Sequence, residues 1–145
     1  MNISPIVVSL KTAALAIFIT FFLGIFSAYL VMKIKNEKIR SIIDALLTLP
    51  LVLPPTVVGF ILLYIFGMGR PIGGFFLEFF KVKIVFSWGA TVLAAVVMSF
   101  PLMYRSARGA FQSVDEDLIY AAQTLGISQG RIFWRVLLPS AREGI

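Results

Sequence analysis

Residues 113–139 read SVDEDLIYAAQTLGISQGRIFWRVLLP, the longest part of the chain that cannot be placed in lipid. Ser113 followed by Glu116 has the spacing of a capping box, in which a hydroxyl and a carboxylate satisfy backbone N–H groups reciprocally. Asp115, Glu116 and Asp117 then bring negative charge to a first turn, where the helix dipole favours it. Leu118, Ile119, Ala122 and Leu125 fall on one face of a 3.6-residue period, which predicts an amphipathic helix. Gly126 is placed to adopt the left-handed conformation that ends it. Ser128 is placed to cap a second helix carrying Ile132, Phe133, Val136 and Leu137, which Pro139 is expected to stop. A bent pair of amphipathic helices beside apolar runs predicts a docking element outside the membrane.

Those runs decide the class. The chain has 145 residues, 59% hydrophobic and 14% charged, with a mean hydropathy of +0.96. Soluble domains are about 45–50% apolar and about 25% charged, so the reading is an all-α, polytopic transmembrane helical protein. The absence of Cys removes disulfides and thiolate chemistry, and the absence of His removes the commonest general base and metal ligand. No catalytic residue, metal or cofactor is expected, and no Walker-type phosphate loop occurs. The net charge of +6 is read as loop charge that orients the chain in a membrane rather than as a nucleic-acid footprint.

Three spans are expected. Residues 13–32 form twenty uncharged positions, enough to cross a bilayer as a helix and longer than a signal-peptide core. Within them Gly24, Ser27 and Ala28 are small enough to face a neighbouring helix. Residues 33–40, KIKNEKIR, read as a basic linker. The second span, 42–66, holds Pro50, Pro54 and Pro55, which predict a kinked or broken helix. At membrane depth such breaks are tolerated only where protein or water covers the freed groups, and in transporters they border the substrate path. Glycines and Pro71 in 67–83 predict turns. The third span, 84–104, carries Trp88 as an interface anchor and Pro101 near its inner end. Grouping 33–40 with 105–142 collects nine of the thirteen Lys and Arg residues, which predicts that this side is cytoplasmic and the N-terminus external. Asp44 is the one charge within the spans. An intramembrane acid is a functional candidate by default, but its place near the cytoplasmic end is read as contact with headgroups or Arg40. Arg105 and Arg108, at the cytoplasmic mouth of the third span, have two readings, attraction of an exiting anion or anchoring to headgroup phosphates, and anchoring is the favoured one.

The spacing in 120–139 also resembles permease subunits of ABC importers. Their cytoplasmic loop follows Glu-Ala-Ala, three residues, Gly, nine residues, an aliphatic, one residue and Leu-Pro. Ala121, Ala122, Gly126, Val136, Leu138 and Pro139 fit that pattern, while Tyr120 stands where the pattern has Glu. The segments LPLVLPPTVVGF and FSWGATVLAAVVMSFPLMYRSARGAF are similar to molybdate permease subunits, and more loosely to sulfate or thiosulfate permeases. The resemblance implies an incomplete MetI-like ABC permease fold, a single transmembrane domain over 1–145 with a cytoplasmic coupling loop over 105–143. It implies a coupling surface at Tyr120, Ala121, Ala122, Leu125, Gly126, Val136, Leu138 and Pro139, with small Ala121 and Ala122 admitting a partner. It also implies a molybdate or tungstate path near Pro50, Pro54, Pro55, Thr56, Gly59, Ser99 and Pro101. The partners implied are ABC ATPase subunits, an extracytoplasmic oxyanion-binding protein, a second permease copy and membrane lipid, with no nucleic acid. Permeases of this type continue past Leu-Pro into further spans, so the expectation is a fragment of a longer chain; a non-transporting scaffold is the alternative.

Overall fold

The computed structural model describes residues 4–67 and 87–141, all of whose regular elements are helical. Helix α1 is Ser4–Met32, α2 is Glu37–Val52, α3 is Pro55–Phe66 and α4 is Trp88–Gln112. A peripheral segment follows: α5 (Glu116–Thr124), α6 (Gln129–Ile132), a π-helical turn (Phe133–Leu137) and α7 (Leu138–Ala141). The expected loop 67–83 and the first residues of the expected third span lie outside the described residues, apart from Gly67.

Helices α1 and α4 have the length and apolarity to cross a membrane. At 1.5 Å per residue the 29 residues of α1 extend roughly 43 Å, more than a hydrocarbon core of about 30 Å. The helix starts well before residue 13, where the first expected span begins. Lipid provides little hydrophobic drive between helices, so close packing and polar pairs must hold α1 to α4. Both are present. Gly24 lies so near Met103 that an added Cβ would stand 2.6 Å from its Cγ, and Ala28 and Ala107 are fully buried. Thr20 Oγ1 and Ser99 Oγ are 3.0 Å apart; Ser99 donates to the Ala95 carbonyl at 2.7 Å, leaving Thr20 as the donor between them. Trp88 Nε1 donates to Thr12 Oγ1 at 2.8 Å, while Thr12 donates to the Val8 carbonyl. The expected interface anchor is thus also a clamp between α1 and α4.

The second apolar segment is broken. Asn36 caps α2 by accepting from the Lys38 and Ile39 amides at 3.0 and 3.4 Å, so helix begins inside the expected linker. Pro50 is carried within α2, and the break falls at Leu53 and Pro54, both extended. Each precedes a proline, whose ring disfavours helical backbone at the residue before it, and Pro55 restarts the helix at a position that needs no N–H. The resulting bend between α2 and α3 is 110°.

Three local expectations are corrected. Ser113 is not a helix start: its backbone is still helical and its hydroxyl donates to the Ala110 carbonyl, while Asp115 caps α5 by accepting from the Asp117 amide at 3.0 Å. A cap needs extended backbone, and α4 runs on because Ala107, Ala110 and Phe111 remain buried. For the same reason 105–112 belongs to α4 rather than to a loop. Pro139 does not stop the last helix; it lies in α7, directly after a π-helical turn in which the Leu138 amide reaches back to Phe133. Wider winding relieves the clash a proline ring makes with the preceding α-turn.

The Gly24 contact leads to a test of the α1–α4 pairing. Gly24→Val places branched carbon against Met103 and its backbone, and should destabilise the fold by about 1–3 kcal/mol, read as a lowered unfolding midpoint in detergent; an unchanged midpoint would show that α1 and α4 do not meet there.

Candidate coupling surface and polar cluster

The peripheral segment is pinned at defined points. Phe133, in the π-helical turn, stacks near Tyr29 of α1 with ring centroids 4.2 Å apart and meets Phe111 of α4 edge-on at 6.1 Å. Leu137 and Ala141 join the same buried cluster as Ile25, Ala28 and Tyr104. Between α5 and α6 the chain turns on Gly126, at φ +72°. Its amide donates to the Gln123 carbonyl at 2.9 Å and the Ile127 amide to the Ala122 carbonyl at 3.2 Å. This paired pattern is a Schellman closure, and it requires the left-handed residue that sequence assigned to Gly126. Ser128 precedes α6 and its carbonyl accepts from the Ile132 amide.

The eight expected coupling residues divide by exposure. Tyr120 is 56% and Leu125 78% exposed, and Ala121, Gly126 and Pro139 are exposed as well. Val136 and Leu138 are half-buried. Ala122, at 6%, faces inward with Ile132 and is part of the packing rather than of an open surface. Of the residues expected on one apolar face of α5, Leu118 and Leu125 are exposed, while Ile119 is half-buried against the α1–α4 core and Ala122 is buried.

The expected path residues are not gathered into one cavity. Gly59 lines an apolar cleft of about 680 Å³ between α3 and α4, with Trp88 and Thr91. Ser99 lines another, of about 300 Å³, with Thr20 and Ser106. Pro101 is buried in packing, Pro50 is half-buried, and Pro54, Pro55 and Thr56 are exposed at the break. The Val57 and Val58 amides there already bond the Pro54 carbonyl.

The structure assembles a different polar cluster. Asp44 of α2 accepts a hydrogen bond from the Tyr104 hydroxyl and forms an ion pair with Arg108, both on α4. Tyr104 is fully buried. Asp44 therefore meets neither headgroups alone nor Arg40, whose carboxylate contact is Glu37 at 3.9 Å. The signal for this pairing was in the spacing of Tyr104 and Arg108, four residues apart and hence on one helix face. Beside the pair opens a cavity of about 540 Å³ lined by Ser41, Thr48, Arg105, Arg108 and Gln112 among others.

Residues 20–145 match the family of binding-protein-dependent transport system inner membrane components. The chain is 42% identical over 140 residues to the molybdenum transport system permease protein ModB of Escherichia coli strain K12, covering 97% of this chain and 61% of that protein. It is 39% identical to ModB of Haemophilus influenzae, over all of this chain and 63% of the relative. A probable sulfate transport system permease protein of Chlorokybus atmophyticus is 35% identical, over 99% of this chain and 49% of the relative. The chain thus spans about half to three fifths of the length of these curated relatives. It belongs to the binding-protein-dependent transport permeases, a family of membrane subunits.

The Gly126 turn is open, with nothing within 4 Å of an added Cβ, so any cost of substitution there is conformational. Gly126→Val should cost about 1–2 kcal/mol in the turn, seen as faster protease cleavage between α5 and α6. Gly126→Asn should lie close to the parent, because Asn tolerates left-handed backbone; equal cleavage of the two variants would contradict the conformational account.

Proposed function

We propose that this chain is part of the permease subunit of an ABC importer that moves molybdate or tungstate into the cytoplasm, driven by separate ATPase subunits. The observation that carries the reading is the 42% identity to the Escherichia coli molybdenum permease, which runs through the spans, the proline break and the peripheral segment alike. In this reading a binding protein delivers the oxyanion at the outer face, and two permease copies enclose the path as one transmembrane domain each. The N-terminus is external and the segment after α4 is cytoplasmic, in accord with nine of thirteen basic residues on that side.

In this reading the driving energy comes from a separate partner that binds nucleotide. The exposed face of α5, with Tyr120, Ala121 and Leu125, supplies an apolar docking surface, and Phe133 and Leu137 fasten that surface to α1 and α4. A push on α5 is then transmitted to the spans through packed side chains. Tyr120 in place of the family's Glu makes this docking apolar at that point, without a carboxylate. Exposed Pro54, Pro55 and Thr56 leave the break between α2 and α3 as the segment of the path most free to rearrange. Sulfate is the second candidate cargo, favoured by the similarity to a probable sulfate permease.

Two measurements test this. Leu125→Glu in the full-length permease should reduce co-purification of the ATPase at least about tenfold, since a charge at an apolar contact centre costs several-fold or more in affinity; undiminished co-purification would remove α5 as the docking surface. Uptake of labelled molybdate by membrane vesicles should resist a hundredfold excess of sulfate, and abolition by sulfate would reassign the cargo.

A further inference from the structure

Asp44 and Arg108 form a charge pair at the α2–α4 contact that the docking surface and the proline break leave unexplained. A buried or half-buried pair of this kind seldom adds net stability over apolar packing, because both groups lose hydration. Its surroundings are richer in positive charge than one pair needs. Arg105 lies three residues from Arg108, one turn away on α4, and lines the same 540 Å³ cavity. Arg40 and Arg108 both line an adjoining cavity of about 220 Å³. Two guanidinium groups, Arg105 and Arg108, thus share the cavity with Asp44, while Arg40 faces Glu37 and the adjoining cavity. Ser41, Thr48 and Gln112 add polar side chains, and Gly109 leaves its part of the wall open. Guanidinium groups with hydroxyl and amide neighbours are the chemistry that holds tetrahedral oxyanions.

We propose that this cluster is an oxyanion exit site, in which the Asp44 carboxylate competes with the cargo for Arg108. The inference rests on the oxyanion-import reading and deepens it. Two unopposed arginines at one site would retain a dianion, whereas conduction needs a site that is entered and left. Asp44 supplies the opposing charge: it occupies Arg108 when the site is empty, and its return displaces the departing anion. The Tyr104 hydroxyl positions that carboxylate, since it bonds the same side chain from a fully buried ring. Arg105, exposed at the cavity, makes the first contact from the remaining side.

The test uses the full-length permease with its ATPase in phosphatidylcholine nanodiscs, with molybdate binding measured by equilibrium dialysis and elemental analysis. Asp44→Asn should bind molybdate about tenfold tighter and import it more slowly, because removing one carboxylate strengthens the field at Arg108. Arg105→Gln, at an exposed position outside the packing, should bind roughly fivefold more weakly, and it remains informative if Asp44→Asn fails to assemble. Unchanged binding in Arg105→Gln, or unchanged or weaker binding in Asp44→Asn, overturns the proposal. Repeating the assay in phosphatidylglycerol separates the two sources of tetrahedral anion: molybdate binding that persists supports the exit site, and binding that vanishes assigns the arginines to lipid phosphate and overturns it. A parent complex that imports neither molybdate nor tungstate removes the transport reading itself, whereas a competent parent with unresponsive variants removes only this site.

Discussion

The close approach of α1 and α4 is the constraint on which the other contacts rest. In water, apolar faces bring helices together; in hydrocarbon they have no such preference, and contact must be secured by shape and by polar pairs. Gly24 removes the side chain that would hold Met103 away, and Ala28 and Ala107 keep the helices close along the same stripe. Thr20 with Ser99, and Thr12 with Trp88, then bond across the gap. Because the interface is set at this distance, the ends of both helices present one continuous apolar platform of Ile25, Tyr104, Ala107 and Phe111. The peripheral segment has a place to settle only because that platform exists.

A second consequence concerns where rigidity ends. The α1–α4 pair is tied by packing and hydrogen bonds along its length, whereas α3 turns away from α2 by 110° and only Val58 of that helix is buried. The chain therefore combines a fixed pair of spans with a segment held mainly at one end. Asp44 lies on the fixed side of the break, bonded to α4 through Tyr104 and Arg108.

Much of this was legible locally. The break at Pro54 and Pro55, the small residues of the first span and the left-handed turn at Gly126 each follow from a residue's own chemistry or from a short period, whereas the nine residues by which α1 begins before position 13 did not. What failed depended on distant partners. Ser113 has a sound capping-box spacing with Glu116, but burial of Ala110 and Phe111 carries α4 through it. Ala122 matches the small residue of a docking face in pattern, yet it is buried, and its carbonyl is taken up in the Schellman closure. Asp44 offered two nearby explanations, Arg40 and headgroups, and its partners came from sixty and sixty-four positions away. Spacing names the members of a helix face; it does not say which other face will meet them.

The π-helical turn at Phe133–Leu137 has a consequence for winding. A π turn takes in one residue more than an α turn, so everything after it is rotated by about 100° from an uninterrupted α-helix. Phe133 and Leu137, four residues apart, both pack against the α1–α4 platform, and the residues after the turn, with Pro139 among them, continue as helix. The extra residue works as a phase shifter between two parts of one segment: the face that α5 offers outward and the azimuth at which α7 returns to the spans can each be set without disturbing the other.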